Sequence, residues 1–159
     1  MNPALKAVMA YLESNGIKYD AKSPNTVWFS LIVPTPDTPG MPNRVVSCSI
    51  RVPQAIIQTL NFTVAVMAVE ITDELFQHIA SFFMHYQSTE LKVGRIVLNP
   101  DGSILYHYSQ FLGSGGNIDR FSVAVMITTA IIEIASIYKA KDEAIRILPK
   151  PNVPHFGLA

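Results

Sequence analysis

The sequence predicts an α+β domain of order α-β-β-β-α-β-β-α, with its helices packed on one antiparallel sheet. Apolar residues recur at three- and four-residue spacing in three segments, and five others read as strands. The strands fall in groups and are not separated one by one by helices, so the doubly wound nucleotide-binding scaffold is excluded.

The elements follow from local chemistry. Asn2 caps the first helix, Pro3 suits its first position, and Gly16 closes it in left-handed geometry. Leu5, Val8, Met9 and Leu12 form its apolar stripe. Val27, Phe29, Leu31 and Val33 then alternate with Trp28, Ser30 and Ile32 as a strand. Residues 34–42 hold four prolines and a glycine, which permits neither strand nor helix. Val46, Cys48, Ile50 and Val52 alternate with Val45, Ser47, Ser49 and Arg51, a half-buried strand with one wetter face. Residues 53–61 read as a connector, and 63–71, apolar on both faces, suit a central strand.

Thr72 caps the second helix, and Asp73 and Glu74 sit in its first turn, where the helix dipole favours negative charge. Leu75, Ile79, Phe82, Phe83 and Tyr86 are its buried stripe. Strands 93–98 and 103–111 flank Asn99-Pro100-Asp101-Gly102, where proline pre-sets one turn dihedral and glycine takes the positive φ. Gly113-Ser114-Gly115-Gly116 is a flexible link. Asn117 or Asp119 caps a closing helix that reaches about Leu148, with Lys139 to Lys141 as its one point of interruption. Pro149, Pro151 and Pro154 make 149–159 an extended tail, so the domain is 1–148.

Composition narrows the function classes. A length of 159 residues gives one domain that needs no disulfide or metal staple. Apolar residues at 49% and charged ones at 15% exclude a disordered chain. Twelve basic and twelve acidic residues leave no net field for a polyanion, so no nucleic-acid partner is expected. The start lacks a basic stretch followed by an apolar run, so the expected location is cytoplasmic and the Asn61-Phe62-Thr63 sequon is idle. Residues 121–138 are long enough to approach a membrane span, but Glu133, Ser122, Thr128, Thr129 and Ser136 argue against one. A mean hydropathy of +0.27 is high for a soluble chain and points to burial against a partner.

No set of side chains here assembles into a catalytic or metal centre. Cys48, the one cysteine, lies in an alternating apolar run and reads as a small buried hydrophobe with no base beside it. The link Gly113–Gly116 lacks the Lys and Ser/Thr of a phosphate loop, and Asp119 would repel a phosphate. His78 and His85 lie two turns apart; Glu74 and His78 share an i, i+4 spacing, but two ligands do not make a site. His107, between Tyr106 and Tyr108, belongs on the wetter face, and His155 is in the tail. Asp20, Asp37, Asp73, Asp101, Asp119 and Asp142 are explained by turns, caps and loops, and Glu70 closes a strand. No enzyme, cofactor or metal is therefore expected.

The closing helix is the informative element. Ser122, Thr129, Glu133 and Ser136 form one narrow wet stripe, and nearly everything else on it is apolar. A surface helix carries an apolar arc of about 100°. Two sides of this one must therefore be covered, one by the sheet and the other by the first helix or a second protomer. High apolar content with low charge favours a homodimer, with Val123, Ile127, Ile131 and Ile134 at the contact.

The order of features from Thr72 onward resembles the YbjN-like family of bacterial sensory-transduction regulators. The resemblance is carried by the helix at 73–86, Val93-Gly94-Arg95-Ile96-Val97-Leu98, Pro100-Asp101-Gly102, Ile104-Leu105-Tyr106-His107-Tyr108, the glycine-bearing link and the long apolar closing helix. The first helix, ending at Asn15-Gly16, and the strand with Trp28 fit the same layout, and a cyanobacterial branch of unknown function looks similar. The resemblance implies a type III secretion chaperone-like fold in a small cytoplasmic homodimer that binds protein segments, with no catalytic residues to transfer. Unlike the secretion chaperones, which are acidic, this chain is neutral, and 34–42 and 149–159 are extra. The expected function is a non-catalytic module that binds an extended or apolar segment of a partner protein. The alternative is a small-molecule sensor with its ligand between sheet and helix, lined by Trp28, Phe83 and Tyr106.

Overall fold

The computed structural model describes residues 1–34, 43–69 and 72–147. The proline loop beyond Pro34, Asp37, the strand end at Glu70, and the tail with His155 lie outside the described residues. The described residues form α1 (Pro3–Ser14), β1 (Tyr19–Ser23), β2 (Thr26–Val33), β3 (Arg44–Arg51), β4 (Thr59–Ala68), α2 (Asp73–Thr89), β5 (Arg95–Leu98), β6 (Ser103–Phe111) and α3 (Arg120–Arg146). The class is α+β, with three helices and a six-stranded antiparallel sheet. Its strand order is β1-β2-β3-β4-β6-β5.

Two expectations about the strands are corrected. The described residues hold one strand more than the pattern suggests, because β1 is short, polar and nowhere fully buried and so shows no alternation. It pairs with β2 only through Tyr19–Phe29, Asp20–Trp28 and Ser23–Thr26, with an irregularity between Asp20 and Ser23. Residues 59–62, read as part of a connector, open β4 and pair with β3 and β6.

The helix ends close as their sequences dictate. Asn2 Oδ1 accepts the Ala4 N–H at 2.8 Å. At the other end of α1, Ile17 N–H donates to Leu12 O and Gly16 N–H to Glu13 O, the paired bonds of a glycine-terminated helix, with Gly16 at φ 67°. Thr72 caps α2 through the Leu75 N–H. Asp119 caps α3, accepting from the Ser122 N–H at 2.8 Å and the Ser122 hydroxyl at 2.7 Å. Contrary to the expected interruption, α3 continues through Lys139 to Lys141. In the β5–β6 hairpin, Gly102 takes φ 86° and its N–H reaches Asn99 O at 2.9 Å.

All three helices cover the same face of the sheet. Val27, Phe29 and Leu31 of β2, Cys48 and Ile50 of β3, Phe62 and Val64 of β4 and Tyr106 of β6 share one core with Leu5 and Leu12 of α1, Ile79 and Phe83 of α2, and the inner side of α3. Phe29 and Phe62 stack at 5.9 Å between ring centres. The Tyr138 hydroxyl donates to Val66 O at 2.6 Å, and the Arg44 guanidinium lies 4.2 Å over the Tyr138 ring. By length and composition, α3 could cross a membrane, and 44% of its most apolar window is buried within this fold.

At one border of the sheet, Gln87 Oε1 of α2 accepts the outward N–H of Ile96 on β5 at 2.6 Å. At the other, β1 carries its irregularity. None of the described helices lies on the second face of the sheet.

Candidate functional site

The polar stripe of α3 is less wet than expected: Ser122, Thr129 and Ser136 are half-buried and Glu133 is buried, on the flank towards α2 and the loop before β5. Ser136 accepts a hydrogen bond from the Tyr86 hydroxyl of α2 at 2.7 Å and donates to Glu133 O. Glu133 is 7% exposed. Its outer edge is apolar: Phe121, Val125 and Ile132 are 77%, 48% and 65% exposed. With exposed Thr128 and half-buried Ala135 they fall within about 80° of one another at about 100° per residue. The expected contact residues are corrected accordingly. Val123, Ile127 and Ile134 are sealed within the chain's own core, and Ile131 is packed against it. On the outer edge a second protomer would meet Phe121, Val125, Thr128 and Ile132, with half-buried Ala124 and Ala135 beside them.

Glu133 is held as a buried carboxylate without a cationic partner. Oε1 accepts the N–H groups of Lys92 at 2.8 Å and Val93 at 3.1 Å. Oε2 accepts the Gly94 N–H at 2.9 Å and the Tyr106 hydroxyl at 2.7 Å. Three successive amides thus form a concave anion seat, occupied by the protein's own side chain. Burial alone would raise the Glu133 pKa; the hydrogen bonds from Tyr106, Lys92, Gly94 and Val93 outweigh it and hold the carboxyl below its ordinary value. Burial first, then the bond to Glu133, pushes the Tyr106 phenol far above its usual range. Gly94 is required here, because a Cβ on it would fall inside the Tyr106 ring. This seat ties the α2–β5 loop to α3.

The uncovered sheet face carries a polar row running across all six strands. Register places Asp20, Trp28, Ser49, Thr63, His107 and Arg95 side by side. Ser109 donates to Asn61 Oδ1 at 2.7 Å and so accepts from His107 Nε2–H at 3.0 Å. His107 Nδ1 in turn accepts from the Thr63 hydroxyl at 3.0 Å. Burial, and then the nearby Arg95 charge, lower the His107 pKa, which keeps the ring neutral near pH 7. Thr63 and His107 stand at nucleophile–base distance. His107 is oriented by a serine, however, and not by a carboxylate that would stabilise an imidazolium. The row floors a depression of about 710 Å³ bordered by Trp28, Arg51 and Arg95. His107 lies on this wetter face as its position in the strand implies.

The other candidates are dispersed. Trp28, 44% exposed, stands on the open face, whereas Phe83 and Tyr106 are buried on the opposite one, so they line no common cavity. Cys48 is 3% exposed in the core, and burial pushes its thiol up to about 12. On α2, Glu74 and His85 are exposed, and His78 Nε2 is shielded with no hydrogen-bond partner. Among the described residues, no three His, Cys, Asp or Glu side chains gather to hold a metal. A small apolar groove of about 240 Å³ lies between α2 and β5, walled by Phe76, Phe83, Met84, Ile96 and Leu98. No protein-family model matches the chain, and no curated protein matches it.

Proposed function

We propose that the chain is a non-catalytic protein-interaction module that pairs with a second copy through the outer edge of α3. The groove between α2 and β5, where Met84 is 73% exposed, takes an apolar segment of a partner protein. The observation that carries this reading is the apolar outer edge of α3, where Phe121, Val125 and Ile132 are exposed in line with Thr128. Leaving Phe121, Val125 and Ile132 in water forgoes about 25 cal/mol for each Å² of apolar surface that a partner would cover. The edge can also pair with itself: antiparallel pairing about Thr128 sets Phe121 against Ala135 and Ile132 against Ala124, large against small. The core packing of Val123, Ile127 and Ile134 supports treating α3 as the core helix of a soluble domain, for which a cytoplasmic location is part of the proposal. The resemblance to the YbjN-like family and its homodimers belongs to the same proposal.

Light scattering during gel filtration tests it. The parent chain is expected to elute at twice its monomer mass at micromolar concentration. Val125→Glu combined with Ile132→Glu is expected to elute as a monomer with an unchanged circular dichroism spectrum. A parent chain that is monomeric under these conditions refutes the pairing. The second reading, a small-molecule regulatory domain, is favoured by the depression on the opposite face of the sheet.

A further inference from the structure

Strands β2, β3, β4, β5 and β6 contain no aspartate or glutamate. Their open face nevertheless presents Arg51 and Arg95, both exposed and neither with an acidic partner among the described residues. The charged side chains that β2 to β6 place on this face are therefore all positive, in a chain whose net charge is zero. Asp20 is the acid that register places on this face; it lies level with Trp28 and is held by Lys22 at 3.0 Å. Arg51 and Arg95 stand on strands three apart in the sheet order and two residues apart along them, about 16 Å at the backbone. Both border the depression, with Asn61, Thr63, His107 and Ser109 on the two strands between them.

We propose that this depression binds a small organic anion bearing a flat unsaturated ring, with the ring against Trp28 and the charged group between Arg51 and Arg95. Guanidinium forks fit the planar, two-oxygen geometry of a carboxylate or a phosphate. The indole gives the ring a stacking surface. A volume of about 710 Å³ suits one small molecule. Two guanidiniums and one exposed ring make a poor track for a polyanion, whose affinity grows with the number of phosphates neutralised. The site lies across the sheet from α3, so it stands or falls independently of the pairing proposed above.

Trp28 is the sole tryptophan, so red-edge fluorescence reports from this face alone. Adenosine monophosphate tests the phosphate form of the ligand and benzoate the carboxylate form, each titrated to about 10 mM. Saturable quenching by at least one of them is expected, weakened about tenfold in each of Arg51→Gln and Arg95→Gln. Lys6→Gln, a charge loss on α1, is expected to leave it unchanged. The proposal is overturned if neither compound saturates, or if both arginine variants bind as the parent does. It is equally overturned if inorganic phosphate or a short thymidine oligonucleotide binds more tightly than both aromatic anions, since the ring or the small size would then count for nothing.

Discussion

Glu133 shows how an apolar helix can bury a carboxylate with no cation beside it. Its oxygens are met by three amide hydrogens and one phenol, so the charge is solvated by the protein. Glu133→Ala leaves those donors unpaired and is expected to cost about 3 kcal/mol in urea unfolding. The folded-state pKa lies below the unfolded one, so the stabilisation is complete above the unfolded value and is lost as pH falls through the folded one. Unfolding free energy measured from pH 6 down to pH 3 should therefore drop more steeply for the parent than for Glu133→Gln. Gly94→Ala drives a methyl group into the Tyr106 ring and is expected to cost about 2 kcal/mol or more by the same assay. The sequence marks Glu133 as unusual for its apolar setting. Nothing near it in the chain names its partners, which lie 27 to 41 positions away.

Elements bounded by local chemistry were legible. The caps of Asn2, Thr72 and Asp119 and the turn at Gly102 act within four residues, where composition determines geometry. β1 was not legible, since its five residues acquire strand form only by lying against β2. For α3 the periodicity was read correctly and the orientation was not. Polar side chains were assigned to water, whereas Ser136 and Glu133 meet hydrogen-bonding groups of α2, β6 and the loop before β5. The corrected orientation can be checked with two truncations. Ile127→Ala, in the core, is expected to cost about 2–5 kcal/mol. Ile132→Ala, on the outer edge, should change the stability of a dissociated chain by no more than about 0.5 kcal/mol. Equal losses at the two positions would contradict the packing described.

For the molecule as a whole, balanced composition concealed an uneven distribution. A net charge of zero excludes a strong overall field, but it says nothing about a sheet from which strands β2 to β6 exclude every acid. The candidate site was legible only in pieces: His107 on a wetter face, Trp28 in an alternating strand. What joins them is the register of six strands, set by pairings as distant as Thr63 with His107. The contact of Gln87 with Ile96 has a separate consequence. A bare, apolar-rich sheet invites strand-by-strand growth into fibrils, and its rims are where growth begins. One amide side chain occupies a rung on the β5 rim, and the kink in β1 spoils the other. Gln87→Ala should therefore bring thioflavin-positive aggregates at concentrations where the parent stays clear, which would make this glutamine a guard against self-templating.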